Sequence, residues 1–155
     1  MQKYELATEN KINWMGRTLF RIRACRDFTT VTGEEIHKGD LGGYVEKESN
    51  LAQDGNAWVY GDAEVYGDAS IFSSKHILCI APIGDYASLM TAFRTKQLVI
   101  KISFEGGLYT INEFNKIING WDDVKNQDVA RAAIELAKLH IDLTPEDNKS
   151  LEENN

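Results

Sequence analysis

Three histidines, two cysteines and a regular series of aspartates are the residues of this 155-residue chain whose types could do chemistry. His37 lies in a Gly-rich turn segment, His76 opens an apolar run, and His140 falls near the end of a helix-like stretch. General-base catalysis needs a ring nitrogen within reach of the proton it takes, and a further group that orients the ring. No carboxylate or nucleophile stands at a telling spacing from any of the three, so structural or solvated roles are expected for them. Cys25 and Cys79 sit in apolar, strand-like runs with neither a CxxC pair nor zinc spacing, which fits small buried hydrophobes of a reducing compartment. Asp54, Asp62 and Asp68 recur beside glycines or turn residues and invite a calcium reading, but the nonapeptide spacing of such sites is missing. Gly106-Gly107 ahead of Thr110 could aim N–H groups at an anion. Neither a Walker lysine nor GxGxxG spacing accompanies the pair, and a tight turn accounts for it. No catalytic residue, metal ligand or cofactor is expected, and the chain reads as a non-enzyme.

The aspartates belong to a repeat. Aligned by sixes, Leu41-Gly-Gly-Tyr-Val45-Glu is followed by Lys47-Glu-Ser-Asn-Leu51-Ala and Gln53-Asp-Gly-Asn-Ala57-Trp. Val59-Tyr-Gly-Asp-Ala63-Glu and Val65-Tyr-Gly-Asp-Ala69-Ser come next, and Ile71-Phe opens a sixth unit. The first position is mostly apolar, the fifth is small or aliphatic, and Gly-Asp or Gly-Asn fills the third and fourth positions of the central units. Gly, Asn and Asp tolerate the backbone angles of sharp corners. Periodic sequence of this kind predicts a left-handed β-helix, a triangular prism whose sides are six residues long and whose eighteen-residue coils stack. Leu41 then stacks on Val59, Val45 on Ala63 and Leu51 on Ala69. Under two coils are available, so both open ends need covering.

The flanks supply the covers. Thr18-Leu-Phe-Arg-Ile-Arg-Ala alternates as a strand, with Phe20, Ile22 and Ala24 on one face and Leu19, Arg21 and Arg23 on the other. Gly33, Gly39, Asp40, Gly42 and Gly43 read as turn residues leading into the repeat. Beyond it, His76-Ile-Leu-Cys-Ile-Ala-Pro reads as a buried strand, and Ser88–Arg94 with Leu98–Phe104 as a hairpin around Thr95-Lys96-Gln97. Thr110-Ile-Asn-Glu113 is a capping box for a first helix ending near Gly120. A second helix over about 126–141 carries Val129, Ala133, Leu136 and His140 along one stripe and Ala130, Ile134, Ala137 and Ile141 beside it, a width that implies burial on two sides. The expected fold is therefore mixed β with α. It comprises an N-terminal β cap over 1–40, a short hexapeptide-repeat β-helix over 41–75, an α+β module with two helices over 76–143, and a disordered acidic tail over 144–155.

The run Gly39-Asp-Leu-Gly-Gly-Tyr-Val-Glu, with Asn50-Leu and Gly55-Asn-Ala-Trp-Val-Tyr-Gly-Asp-Ala, resembles phage and prophage hexapeptide-repeat proteins of mostly unassigned function. Thr18 through Ala24, His76 through Gly84, Phe93-Arg-Thr-Lys and Gly107 through Phe114 also resemble segments of that family. The resemblance implies a mobile-element setting rather than a reaction. Inhibitors of host defence systems, a CRISPR nuclease complex being one such target, belong to that setting.

Charge narrows the partners. The chain carries a net −7, with seven basic against six acidic groups over 1–40, two against six over 41–75, and eight against twelve beyond. An acidic surface disfavours phosphate backbones, so direct nucleic-acid binding is not expected. No run approaches the ~18–20 apolar residues of a membrane span, and the start is too polar for a secretory signal, so a cytoplasmic protein of the bacterial host cell is expected. The interface candidates are the outward-facing Trp58, Tyr60, Tyr66 and Phe72 with the basic pair Arg21 and Arg23, since aromatic and arginine side chains anchor interfaces. Two alternatives stay open: the C-terminal module covers the aromatics, and the arginines pair with Glu46 or Glu48. The expectation is a binding protein that inhibits or modulates a host protein or protein–nucleic-acid complex. The alternatives are a self-assembling protein joined through β-helix ends and a hexapeptide acyltransferase-like enzyme.

Overall fold

The computed structural model describes residues 2–13 and 15–145. Strands β1 (Tyr4–Ile12) and β2 (Thr18–Ala24) pair antiparallel, Tyr4 opposite Ala24 and Ile12 opposite Thr18, with a bulge between Leu6 and Asn10. After the small ladder of β3 (Phe28–Thr29) and β4 (Glu35–Ile36), β5 (Leu41–Val45) takes the other edge of β2. β6 (Glu64–Val65) completes a sheet of order β1-β2-β5-β6. A second, antiparallel sheet of order β10-β9-β8-β7 is built from β7 (Ile77–Ile83), β8 (Ser88–Arg94), β9 (Ile100–Phe104) and β10 (Gly107–Thr110). Helices α1 (Ile111–Asn119) and α2 (Val124–His140) follow.

Local chemistry explains the boundaries. Thr110 caps α1 by accepting from the Glu113 N–H, while the Glu113 carboxylate accepts from the Thr110 N–H, so two otherwise orphaned donors are satisfied. Asp123 caps α2 through the Asn126 N–H. Between β9 and β10, Glu105 and Gly106 both have positive φ (49° and 83°), the two-residue hairpin turn whose twist suits the flanking strands.

The structure corrects the expected fold class. Residues 41–75 do not wind a left-handed β-helix; the strands form separate sheets of four, four and two, and no prism is present among the described residues. Parallel pairing in the repeat is confined to Tyr44↔Glu64 and Val45↔Val65, with an isolated bridge Leu51↔Ile71, and its offset is twenty residues rather than eighteen. One physical reason is that β5 is flanked on its other edge by antiparallel β2, so it extends an ordinary twisted sheet instead of forming one side of a coil. The Gly-Asn and Gly-Asp pairs serve as a string of turns, with positive φ at Gly55, Gly61 and Gly67. Without a prism, the expected stacking through β-helix ends loses its structural basis.

Polar clamps hold this irregular segment. Asn50 is fully buried; its oxygen accepts from the Glu46 and Lys47 N–H groups, and its amide donates to the Gly67 and Ala69 carbonyls. The Gln53 side chain brackets the Tyr4 backbone through its N–H and carbonyl. A fully satisfied buried network rigidifies where a ladder does not.

The middle strands of the second sheet, β8 and β9, are buried on both faces, whereas the outer strands β7 and β10 are largely half-buried. Met90 and Ala92 of β8 belong to a core with Ile102, Phe104, Phe114, Ile118, Ala130 and Ile134, the helix side. Phe93 packs instead with Val59, Val65, Leu51 and Ile71 of the repeat. Alternating residues of one strand thus serve two cores, as the two-residue period of a strand requires. β2 behaves similarly: Ile22 and Ala24 enter the repeat core, whereas Leu19 joins Tyr44 and Tyr66 in a separate cluster, and Phe20 is only half-buried. No helix among the described residues is long and apolar enough to cross a membrane. The acidic tail expected over 144–155 lies, from residue 146 onward, outside the described residues.

Candidate functional site

Of the six interface candidates, Trp58 and Tyr66 are buried, and Tyr60, Phe72, Arg21 and Arg23 are half-buried. Trp58 and Tyr66 are 3% and 0% exposed. The Trp58 ring meets Phe28 edge-on at 5.3 Å, and the Tyr66 hydroxyl donates to the Gly106 carbonyl, tying the repeat to the β9–β10 turn. Phe72 is half-buried, with its ring 4.3 Å from the His76 ring and the Arg94 guanidinium 5.0 Å from its centre. Arg21 donates to the Gly42 carbonyl at 2.8 Å and the Tyr44 hydroxyl at 2.7 Å, and lies 3.3 Å from Asp62 and 3.5 Å from Glu9. Arg23 reaches Glu5 at 3.3 Å. Glu46, the anticipated partner of these arginines, is instead gripped by Arg17 at 2.9 and 3.0 Å.

Trp58 and Tyr60 do share a cleft of about 270 Å³ with Cys79, Ile77 and His140. Its chemistry is that of packing. Burial pushes the Cys79 thiol up to about 11, so the thiolate needed for nucleophilic attack is not formed near neutral pH. His140 Nε2 lies 2.9 and 3.0 Å from the Ser74 and Ile77 carbonyl oxygens, which makes it a donor that anchors the end of α2. His37 lies on the surface, 3.8 Å from Glu35. Among the described residues, no three His, Cys, Asp or Glu side chains gather as a metal site.

His76 is 3% exposed and contacts buried Arg94, Nε2 to Nη1 at 2.7 Å. Burial, and then the Arg94 cation, hold its pKa below the usual histidine value, with Asp142 opposing. A ring that must accept from a guanidinium is neutral. The linkage has one sign: stability is complete above the unfolded pKa near 6.5 and is lost as pH falls through the lowered folded value. Urea unfolding between about pH 7.5 and 5.5 is expected to show that decline, and His76→Gln to flatten it. An equally steep decline in the variant would assign the effect elsewhere.

A concavity of about 730 Å³ lies where the β8–β9 turn meets the start of α1 and the end of α2. Leu98, Val99, Ile100, Ile111 and Leu143 give it apolar walls, and its charged lining residues are Asp68, Lys101 and Lys138, the last paired with Glu135 at 3.2 Å. A narrower pocket beside it shares Asp68, Gln97 and Lys101 and adds Arg17 and Lys47. Val99 is 45% exposed although its neighbour Ile100 is buried. Leu98 has φ +61° at the third residue of a three-residue hairpin loop, the left-handed position that glycine usually fills. A leucine there stores strain of order 1 kcal/mol, and the side chain so retained lines the groove. The sequence contained one hint of this site: an apolar Leu-Val pair directly after the Lys96-Gln97 turn. The convergence of Ile111, Lys138 and Leu143 on that pair is a product of tertiary packing. The groove combines apolar walls with two lysines and one aspartate, and no nucleophile–base pair lies among its lining residues.

The chain matches no protein-family model, no curated protein and no solved structure.

Proposed function

We propose that this chain is a non-enzymatic binding protein, encoded by a phage or prophage and acting in the cytoplasm of the bacterial host. Its groove takes an apolar segment of a host protein, one bearing a carboxylate, and thereby modulates or inhibits that protein. The observation carrying this reading is the groove: about 730 Å³, walled by Leu98, Val99, Ile111 and Leu143, with Lys101 and Lys138 among its lining residues on a chain of net charge −7. Concave apolar sites with a few polar groups at the edge are the usual form of a binding site. The phage setting rests on the resemblance carried by the repeat and its flanks.

The test is a tagged pull-down from bacterial lysate, with and without nuclease, read by mass spectrometry. A stoichiometric protein that survives nuclease is expected. Val99→Asp is expected to abolish its capture while changing stability by no more than about 0.5 kcal/mol, because the residue is exposed. Leu98→Gly is expected to weaken capture yet raise stability by about 0.5–1 kcal/mol, through relief at the positive φ. Undiminished capture by both variants, or loss of the partner on nuclease treatment, would overturn the reading.

A further inference from the structure

Helix α2 has two apolar faces, and the fold uses one. Ala130, Ala133, Ile134 and Ala137 are buried against the second sheet and α1. The other face presents Val129, Ala132, Leu136 and Leu139; Val129 is 44% exposed, Leu136 48% and Leu139 84%. Their spacing is three, four and three residues, the a/d seam of a helix pair rather than a scatter of surface apolar groups.

We infer that this face is the interface of a homodimer in which α2 of one copy packs antiparallel on α2 of a second. The spacing reads the same in both directions, so reversal leaves the seam in register. Leu136 then meets the small Ala132 of the second copy, and Leu139 meets Val129, large against small across the axis. A two-fold interface demands such self-complementarity.

Electrostatics favour a copy of the same chain over general stickiness. A surface of net charge −7 repels its own copies across most approaches. Beside the seam, Asp128 pairs with Arg131 at 3.6 Å and Glu135 with Lys138 at 3.2 Å, so this flank is neutral. Reversal brings the Asp128 end of one flank toward the Lys138 end of the other, and sets the helix dipoles antiparallel. The parallel alternative would place the same flank against Ala133 and His140 and lose that match. Four seam residues per copy make a small contact, at the low end for specific interfaces, so association is expected to be reversible and concentration-dependent. The four seam residues do not line the groove, although Lys138 of their flank does, so Leu136→Glu and Leu139→Glu test the dimer without altering the groove's lining.

Sedimentation equilibrium of the full chain across a concentration series provides the test. The expected result is a rise from one chain mass to two. Leu136→Glu and, separately, Leu139→Glu are expected to hold the protein at one chain mass, with unchanged circular dichroism. A single-chain mass at every wild-type concentration, or dimers that persist in both variants, would overturn the inference. Orientation is read from Ala132→Cys and Leu136→Cys, each in a Cys25→Ser, Cys79→Ser background. Oxidation of the mixture is expected to give a cross-linked dimer and oxidation of either alone little. Efficient cross-linking of each alone would establish a parallel pair and refute the antiparallel one.

Discussion

Replacing Gly42 or Gly43 with alanine is expected to destabilise the protein by about 3 kcal/mol or more. These glycines lie inside β5, and neither has a positive φ, so the issue is space rather than backbone freedom. A Cβ on Gly42 would sit 2.7 Å from both Ile22 Cγ1 and the Val59 carbonyl oxygen, and 2.8 Å from Trp58 Cζ2. On Gly43 it would sit 2.7 Å from Val59 Cγ1 and 2.8 Å from the Ala63 carbonyl oxygen. Those oxygens are themselves held in place, since Val59 accepts from the Gly43 N–H and Ala63 from the Tyr44 N–H. Relief therefore requires moving backbone, and both hydrogen bonds resist. Gly61→Ala is the control: its φ is +51° with open space around it, so only strain of about 1 kcal/mol is expected. Denaturant midpoints at constant slope give the comparison. Equal losses at Gly43 and Gly61 would refute the close approach of β5 to residues 58–63.

Trp58→Ala carries the second large effect, a loss of about 3–5 kcal/mol. The indole is 3% exposed, sits edge-on to Phe28, and belongs to the core that joins the first sheet, the repeat and Phe93. Removing it leaves a void that Gly42 and Ile22 border and cannot fill without shifting β5. The same substitution distinguishes two roles for this aromatic. A core residue lowers the unfolding midpoint strongly; a recognition residue leaves it nearly unchanged and weakens only partner capture. Thermal unfolding of Trp58→Ala beside Val99→Asp separates the two on one protein.

Local signals were legible where a few neighbouring residues decide the outcome. The Thr110–Glu113 capping box marks the start of α1, and the runs read as strands at 76–82, 88–94 and 98–104 overlap β7, β8 and β9. The repeat misled because Gly-Asp corners and small residues suit a string of turns as well as a prism. Gly42 and Gly43 look like turn formers, yet they are strand residues whose missing side chains let another segment approach. The aromatics of the repeat look outward on a prism. On the observed fold, Trp58 and Tyr66 are covered by elements far away in the chain.

The groove shows the same division. A Leu-Val pair at a hairpin turn was visible in the order of residues, as were two apolar stripes on α2. Hydrophobic periodicity reports how wide an apolar surface is, but not how many neighbours cover it. For α2 the sequence by itself determined a helix with a wide apolar face. Only the tertiary structure decided that Ala130, Ala133, Ile134 and Ala137 are buried while Val129, Leu136 and Leu139 remain exposed, because α1 and the sheet cover one side of that helix and leave the other open.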